Sequence, residues 1–136
     1  MKILFICKHN KFRSKVGEAI FNSLNKNKKI IAESAGIIGS VHDTPKSVID
    51  VLKNKGYIVK RKTAKRVDSV KIKDYDLIII VADNVNPLFF KSSFDKKIIW
   101  WKITDCLETD IEGIKKRVDE IESKVKKLVE ELKTSS

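Results

Sequence analysis

The sequence predicts an α/β fold of three layers, with a central four-stranded parallel sheet and a phosphate-binding loop after the first strand. Three observations predict it. Strand-like apolar runs alternate with amphipathic helical stretches along the whole chain, the pattern of a parallel sheet layered with helices. Asp76 to Ala82 is apolar on consecutive positions, as a central strand buried on both faces must be. The stretch Cys7-Lys8-His9-Asn10-Lys11-Phe12-Arg13-Ser14 lies between the first strand and the first helix, where backbone N–H groups can converge on an anion.

Lys2 to Cys7 reads as strand one. A helix from about Ser14 to Asn25 follows, with Val16, Ala19, Ile20 and Leu24 on one face. Lys29 to Ser34 reads as strand two, ended by Ser34-Ala35-Gly36, and a loop with Gly39 and His42 comes next. Thr44-Pro45 is an N-cap and first-turn pair. Val48, Ile49, Val51 and Leu52 form the apolar stripe of the helix behind it, and Gly56 is its C-terminal stop. Residues 57–74 are basic and irregular. Strand three is Asp76 to Ala82, and Asn86-Pro87 opens a short helix or turn. Lys97 to Trp101 is strand four, followed by a loop over 105–110. From about Asp110 to Leu132 a long helix carries Ile111, Ile114, Val118, Ile121, Val125, Leu128 and Leu132 at spacings of three and four. Residues 134–136 are expected to fray. Ligands of such sheets bind at the carboxyl ends of the strands. Cys7 and the loops at 34–42, 83–87 and 105–110 all leave those ends.

The length of 136 residues suits a single domain over 1–136, and 42% apolar residues suffice for one core. No apolar run reaches membrane-spanning length. The first run follows a single lysine and is too short for a secretory leader, so a cytoplasmic location is expected. Two cysteines make no disulfide framework. The net charge of +11 rests on 25 lysines and four arginines and favours anionic ligands. The lysines are interleaved with glutamates, as on a solvated surface. No aromatic-interleaved basic stretch of the base-stacking kind is present, so nucleic acid is not an expected partner. No membrane partner and no cofactor are expected either.

The Cys7-to-Ser14 loop carries the chemistry. A cysteine attacks as thiolate. Three effects favour the thiolate at Cys7: the positive end of the following helix, backbone N–H and Ser14 hydroxyl donors, and the charge of Arg13. A stabilised thiolate attacks phosphorus and also leaves well, which suits a phosphocysteine intermediate. The planar fork of Arg13 binds two phosphoryl oxygens at once. Lys8, His9, Asn10, Lys11, Phe12 and Ser14 are the expected substrate-binding members of the loop. A carboxylic acid must protonate the leaving oxygen and then activate water. Asp105, directly after strand four, fits; Asp110 and Asp83 are alternatives.

This pattern resembles the low-molecular-weight protein tyrosine phosphatases and the related thioredoxin-coupled arsenate reductases. The match runs from Cys7 to Ser14, with Asn10 at the family's loop-shaping asparagine. It continues through Gly17-Glu18-Ala19-Ile20-Phe21, Ser34-Ala35-Gly36, the helix from Pro45 to Gly56, Asp83 and Asn86 at a strand exit, and Trp101 to Asp105. The resemblance implies a phosphomonoester hydrolase acting through Cys7, Arg13 and Asp105 on a phosphorylated protein or small aryl phosphate, with inorganic phosphate or other oxyanions held in the loop. The chain departs from the family at Asp105-Cys106-Leu107, where Asp-Pro is usual. His9 is a variant of the arsenate-reductase-like branch. An arsenate reductase using Cys7 with an external thiol or Cys106 is the alternative, because 82–87 lacks the usual relay cysteines.

Overall fold

The computed structural model describes residues 1–134. Its regular elements are β1 (Lys2–Cys7), α1 (Arg13–Leu24), β2 (Ile31–Gly36), α2 (Lys46–Asn54), β3 (Leu77–Val81), β4 (Lys97–Trp101) and α3 (Ile111–Thr134). Short 3₁₀ turns lie at Val67–Ser69, Ile72–Asp74 and Pro87–Phe90. The strands form one parallel sheet in the order β2-β1-β3-β4. β1 is therefore central, and the chain goes first to one side of it and then to the other. Such a switch point opens a crevice at the carboxyl end of the strand, and Cys7 is the last residue of β1.

Strand alternation builds two cores. Ile3, Phe5, Leu77, Ile79 and Val81 face one way and join the buried stripes of α1, α2 and α3. Leu4, Ile6, Ile78 and Ile80 face the other way and meet Tyr75, Val85, Phe90 and Phe94. That second face is covered by the 3₁₀ turns and their flanks, with Val67, Val70 and Ile72 packed on its margin. Each such side chain removed from water contributes about 1.5–3 kcal/mol, and β1 and β3 are buried on both sides.

Several boundaries differ from the sequence expectation, for local reasons. β2 begins at Ile31 because Asn25 and Asn27 tie residues 25–30 into a turn through side-chain bonds to Asn27 O, Ile30 O and Lys29 N. It runs on to Gly36 because Ser34, Ala35 and Gly36 pair with Phe5, Ile6 and Cys7. Thr44 does not cap α2; its hydroxyl donates to Lys62 O, and Pro45 takes the N-cap position. Gly56 does stop α2. Its φ of +89° suits glycine, with Gly56 N–H donating to Lys53 O and Tyr57 N–H to Leu52 O, a Schellman closure. Of the expected frayed tail, Thr134 closes α3, and Ser135 and Ser136 lie outside the described residues. Among the described residues no helix is long and apolar enough to cross a membrane.

Candidate active site

The loop between β1 and α1 folds around the sulfur of Cys7. Asn10 N–H points at Cys7 Sγ (3.3 Å), and Ser14 Oγ lies 3.0 Å from it. Asn10 is fully buried and sits in the left-handed region at φ 57°, which Asn tolerates better than most residues. Its amide is fully used. Oδ1 accepts from Lys65 N–H (2.9 Å), while Nδ2 donates to Ser14 Oγ (2.8 Å) and Ser34 Oγ (2.9 Å). The Lys65 N–H can only donate, so it fixes which amide atom faces it. Both serine oxygens therefore receive an Asn10 hydrogen, and each serine must spend its own proton elsewhere. Ser34 gives its proton to Glu18 Oε1 at 2.5 Å. Ser14 is left to donate to Cys7 Sγ, which stabilises a thiolate there. The first turn of α1 adds its partial positive charge from the other side.

Gly36 lets β2 approach this loop. A Cβ on Gly36 would lie 2.8 Å from Asn10 N and from the His9 carbonyl carbon, and 2.9 Å from Lys8 O. The space is filled by main chain that cannot give way, so only glycine fits.

Arg13 opens α1 and is 2% exposed. Its Nη1 donates to Ile103 O at 2.9 Å and faces Asp83 Oδ1 at 3.4 Å. Its Nη2 is 3.9 Å from Asp105 Oδ2. Asp105 is about half exposed. Its Oδ1 accepts from Cys106 N–H, and Arg117 of α3 braces the segment by donating to Thr104 O, Thr104 Oγ1 and Asp105 O. Of the three candidate acids, Asp110 is occupied as the cap of α3, with Oδ1 accepting from Gly113 N–H. Asp83 sits against the guanidinium, where it orients Arg13.

Cys7, Arg13 and Asp105 all line one cleft of about 630 Å³. His9, Lys11 and Phe12 line it too. Asn10 is buried behind the loop and shapes it. Ser14 is buried against the sulfur, and Lys8 gives its carbonyl to Ile38 N–H without lining the cleft. Apolar groups continue the cleft between α2 and α3 through Pro45, Val48 and Ile114. Cys106 and Leu107 form the wall beside Asp105. Burial pushes the Cys106 thiol up, opposed by the charge of Arg117. Sequence reasoning missed the bracing role of Arg117, the lock at Lys65 N–H and the Glu18 end of the serine network. None carries a local motif, because each acts across a long sequence separation.

Residues 2–136 match the family model described as low molecular weight phosphotyrosine protein phosphatase. The chain is 33% identical over 115 residues to the low molecular weight protein-tyrosine-phosphatase YfkJ of Bacillus subtilis (strain 168), covering 79% of this chain and 74% of that protein. Among solved structures it resembles the arsenate reductase of Archaeoglobus fulgidus DSM 4304, at 34% identity and TM-score 0.78, covering 93% of this chain and 98% of that one. It also resembles the low molecular weight protein tyrosine phosphatase of T. tengcongensis, at 26% identity and TM-score 0.84, covering 96% and 99%. The parallel sheet, the Cys7-to-Ser14 loop and the match over nearly every residue place this chain in the low molecular weight phosphotyrosine protein phosphatase family, as a cysteine-dependent phosphatase.

Proposed function

We propose that the protein hydrolyses phosphomonoesters, phosphotyrosine or a similar aryl phosphate, through a phosphocysteine on Cys7. The observation that carries this reading is the convergence of Cys7, Arg13 and Asp105 on one cleft, from the end of β1, the start of α1 and the loop after β4. The phosphoryl group sits over Sγ with its oxygens toward the loop N–H groups and the Arg13 fork. Cys7 Sγ attacks phosphorus as the ester P–O bond breaks, and Asp105 gives its proton to the leaving oxygen. Water then attacks the phosphocysteine, Asp105 takes the water proton, and the S–P bond breaks to release inorganic phosphate. The donors around Sγ stabilise the thiolate as nucleophile and as leaving group. His9, Lys11 and Phe12 flank the bound group. The apolar space by Pro45 and Val48 suits an aryl ring, and the substrate is read as a phosphorylated protein or small aryl phosphate.

A second reading, arsenate reduction, is supported by the likeness to the Archaeoglobus fulgidus structure and by Cys106 in the same cleft. Arsenate has the size and charge of phosphate, so the loop suits it. In that reading Cys7 Sγ displaces water from arsenate to form an S–As bond, and an external thiol or Cys106 then attacks Sγ. The S–As bond breaks, its electron pair reduces the arsenic, arsenite leaves, and Cys7 and the second thiol are oxidised to a disulfide. The upward push of burial on the Cys106 thiol and the absence of cysteine from 82–87 weigh against an internal relay. The deciding experiment compares aryl-phosphate hydrolysis with thiol-dependent arsenate reduction, for wild type, Cys7→Ser and Asp105→Asn. The proposal expects hydrolysis to dominate, Cys7→Ser to be inactive, and Asp105→Asn to turn over about 10²-fold slower or worse. Reduction outpacing hydrolysis, or an active Cys7→Ser, overturns it.

A further inference from the structure

Lys15 follows the loop directly, yet it is among the largest fully buried side chains, at 1% exposure. Lysine is almost never buried without a partner that repays the loss of water. Here the ammonium has one hydrogen bond, Nζ to Arg61 O at 2.8 Å. Among the described residues no carboxylate lies within ion-pair distance of it. The charged groups facing it are Glu18 on its own helix, Arg61 and Lys65 on the segment across from it, and Cys7 at the end of β1. A methionine of similar length would fill the same space without a charge to desolvate. What methionine lacks is a donor for the Arg61 carbonyl.

That carbonyl belongs to residues 57–66, which carry no helix or strand of their own. The segment nevertheless supports the loop. Lys65 N–H holds Asn10 Oδ1, Lys65 O accepts from Gly36 N–H, and Arg66 bridges to Gly36. The Gly36 bond fixes the carbonyl of Lys65 and leaves its N–H to be aimed by the residues before it. That approach is anchored at two neighbouring carbonyls, Arg61 O by the Lys15 ammonium and Lys62 O by the Thr44 N–H and hydroxyl.

We infer that Lys15 is a positioning residue of the phosphate loop: its ammonium straps the main chain at Arg61 against α1, and the strap aims the Lys65 N–H that locks the Asn10 amide. This rests on the reading of Cys7 as nucleophile. Without the strap only the Thr44 bonds to Lys62 O hold the approach, and the Lys65 N–H fixes the Asn10 amide orientation less strictly. Ser14 is then free to turn its proton away from Sγ. Burial also drives the Lys15 pKa down to about 8, with Glu18 drawing it back up. The residue therefore costs the fold stability while serving the site, and a residue with a purely structural role would not combine these two signs.

The test is Lys15→Met, read by three measurements: the pH profile of Cys7 alkylation by iodoacetamide, amide hydrogen exchange at Lys65, and thermal unfolding at neutral pH. Cys7→Ser provides the alkylation blank. Alkylation at neutral pH is expected to slow about tenfold, the worth of one hydrogen bond to a charged group, with the profile moving to higher pH. Exchange at Lys65 should speed up, and the melting temperature should hold or rise. Aryl-phosphate kcat/KM should fall in step with the alkylation rate. Lys15→Gln, too short to reach the Arg61 carbonyl, carries the same alkylation and exchange expectations if Lys15→Met does not fold; its buried unpaired amide lowers stability by itself, so its melting temperature is not a readout. An unchanged alkylation profile with Lys65 still protected overturns the inference, and so does a melting temperature that falls together with activity. Wild type without aryl-phosphate turnover would sink the proposed function instead, and alkylation and exchange would still judge Lys15.

Discussion

Replacing Asn10 by alanine should damage this protein more than the loss of one polar side chain suggests. The amide of Asn10 makes three hydrogen bonds inside the fold, to Lys65 N–H, Ser14 Oγ and Ser34 Oγ. Alanine leaves the Lys65 N–H without an acceptor, and an unsatisfied buried donor costs roughly 1–3 kcal/mol. The serine hydroxyls still have Cys7 and Glu18 to bind, so they add less. Alanine must also adopt the φ of 57°, at a further cost of about 1–2 kcal/mol. The expected total is about 2–5 kcal/mol. Urea unfolding measures it as a shifted midpoint at unchanged slope. Asn10→Gly separates the two contributions. It loses the same hydrogen bonds without the strain, so it should be more stable than Asn10→Ala by up to about 1 kcal/mol. A loss under about 1 kcal/mol in Asn10→Ala would refute the account of the amide lock, and glycine no better than alanine would refute the strain.

Lys15 sets a pH dependence of stability. Its folded pKa of about 8 lies below the ordinary 10.5, so between these values the unfolded chain binds more protons and stability rises with pH. The penalty, about 3 kcal/mol, is complete below pH 8 and fades toward pH 10.5. Lys15→Met should therefore exceed wild type in stability most at neutral pH, and denaturant titrations should find the gap closing as pH rises; a constant gap would contradict this. Gly36→Ala should cost both activity and stability, because its Cβ meets main chain of His9 and Asn10 that cannot give way. The check is kcat/KM beside the unfolding midpoint, and an unchanged midpoint would count against it. Arg117→Met removes the brace on Thr104 and Asp105. It should lower kcat about tenfold on aryl phosphates with poor leaving groups and much less on those with good ones. A uniform loss across leaving groups would place the brace elsewhere.

The sheet was legible because β1 and β3 are buried on both faces, and only consecutive apolar residues satisfy that. The Cys7-to-Ser14 loop was legible because its groups fall within eight residues. The strand boundaries at β2 were not, because pairing with Phe5 to Cys7 extends it and asparagine side chains delay it. The lock on Asn10 was also hidden. It joins residues 10, 14, 34 and 65, and its decisive member is a backbone N–H with no side-chain signature. Lys15 could not be singled out among 25 lysines, since composition reads lysine as solvated and only packing reveals the buried one. Asp83 and Asp110 illustrate the same limit for acids. Each follows a strand or precedes a helix much as Asp105 does, and only the fold separates the close Arg13 partner, the helix cap and the half-exposed carboxylate that lines the cleft.

The central claim is that phosphate passes through the sulfur of Cys7. Rapid acid quench of wild type and Asp105→Asn during turnover of an aryl phosphate, followed by peptide mass analysis, tests it directly. The account predicts one phosphoryl group on the peptide containing Cys7, absent from Cys7→Ser. Turnover with no phosphoryl group on that peptide, or with the group on another residue, would contradict it.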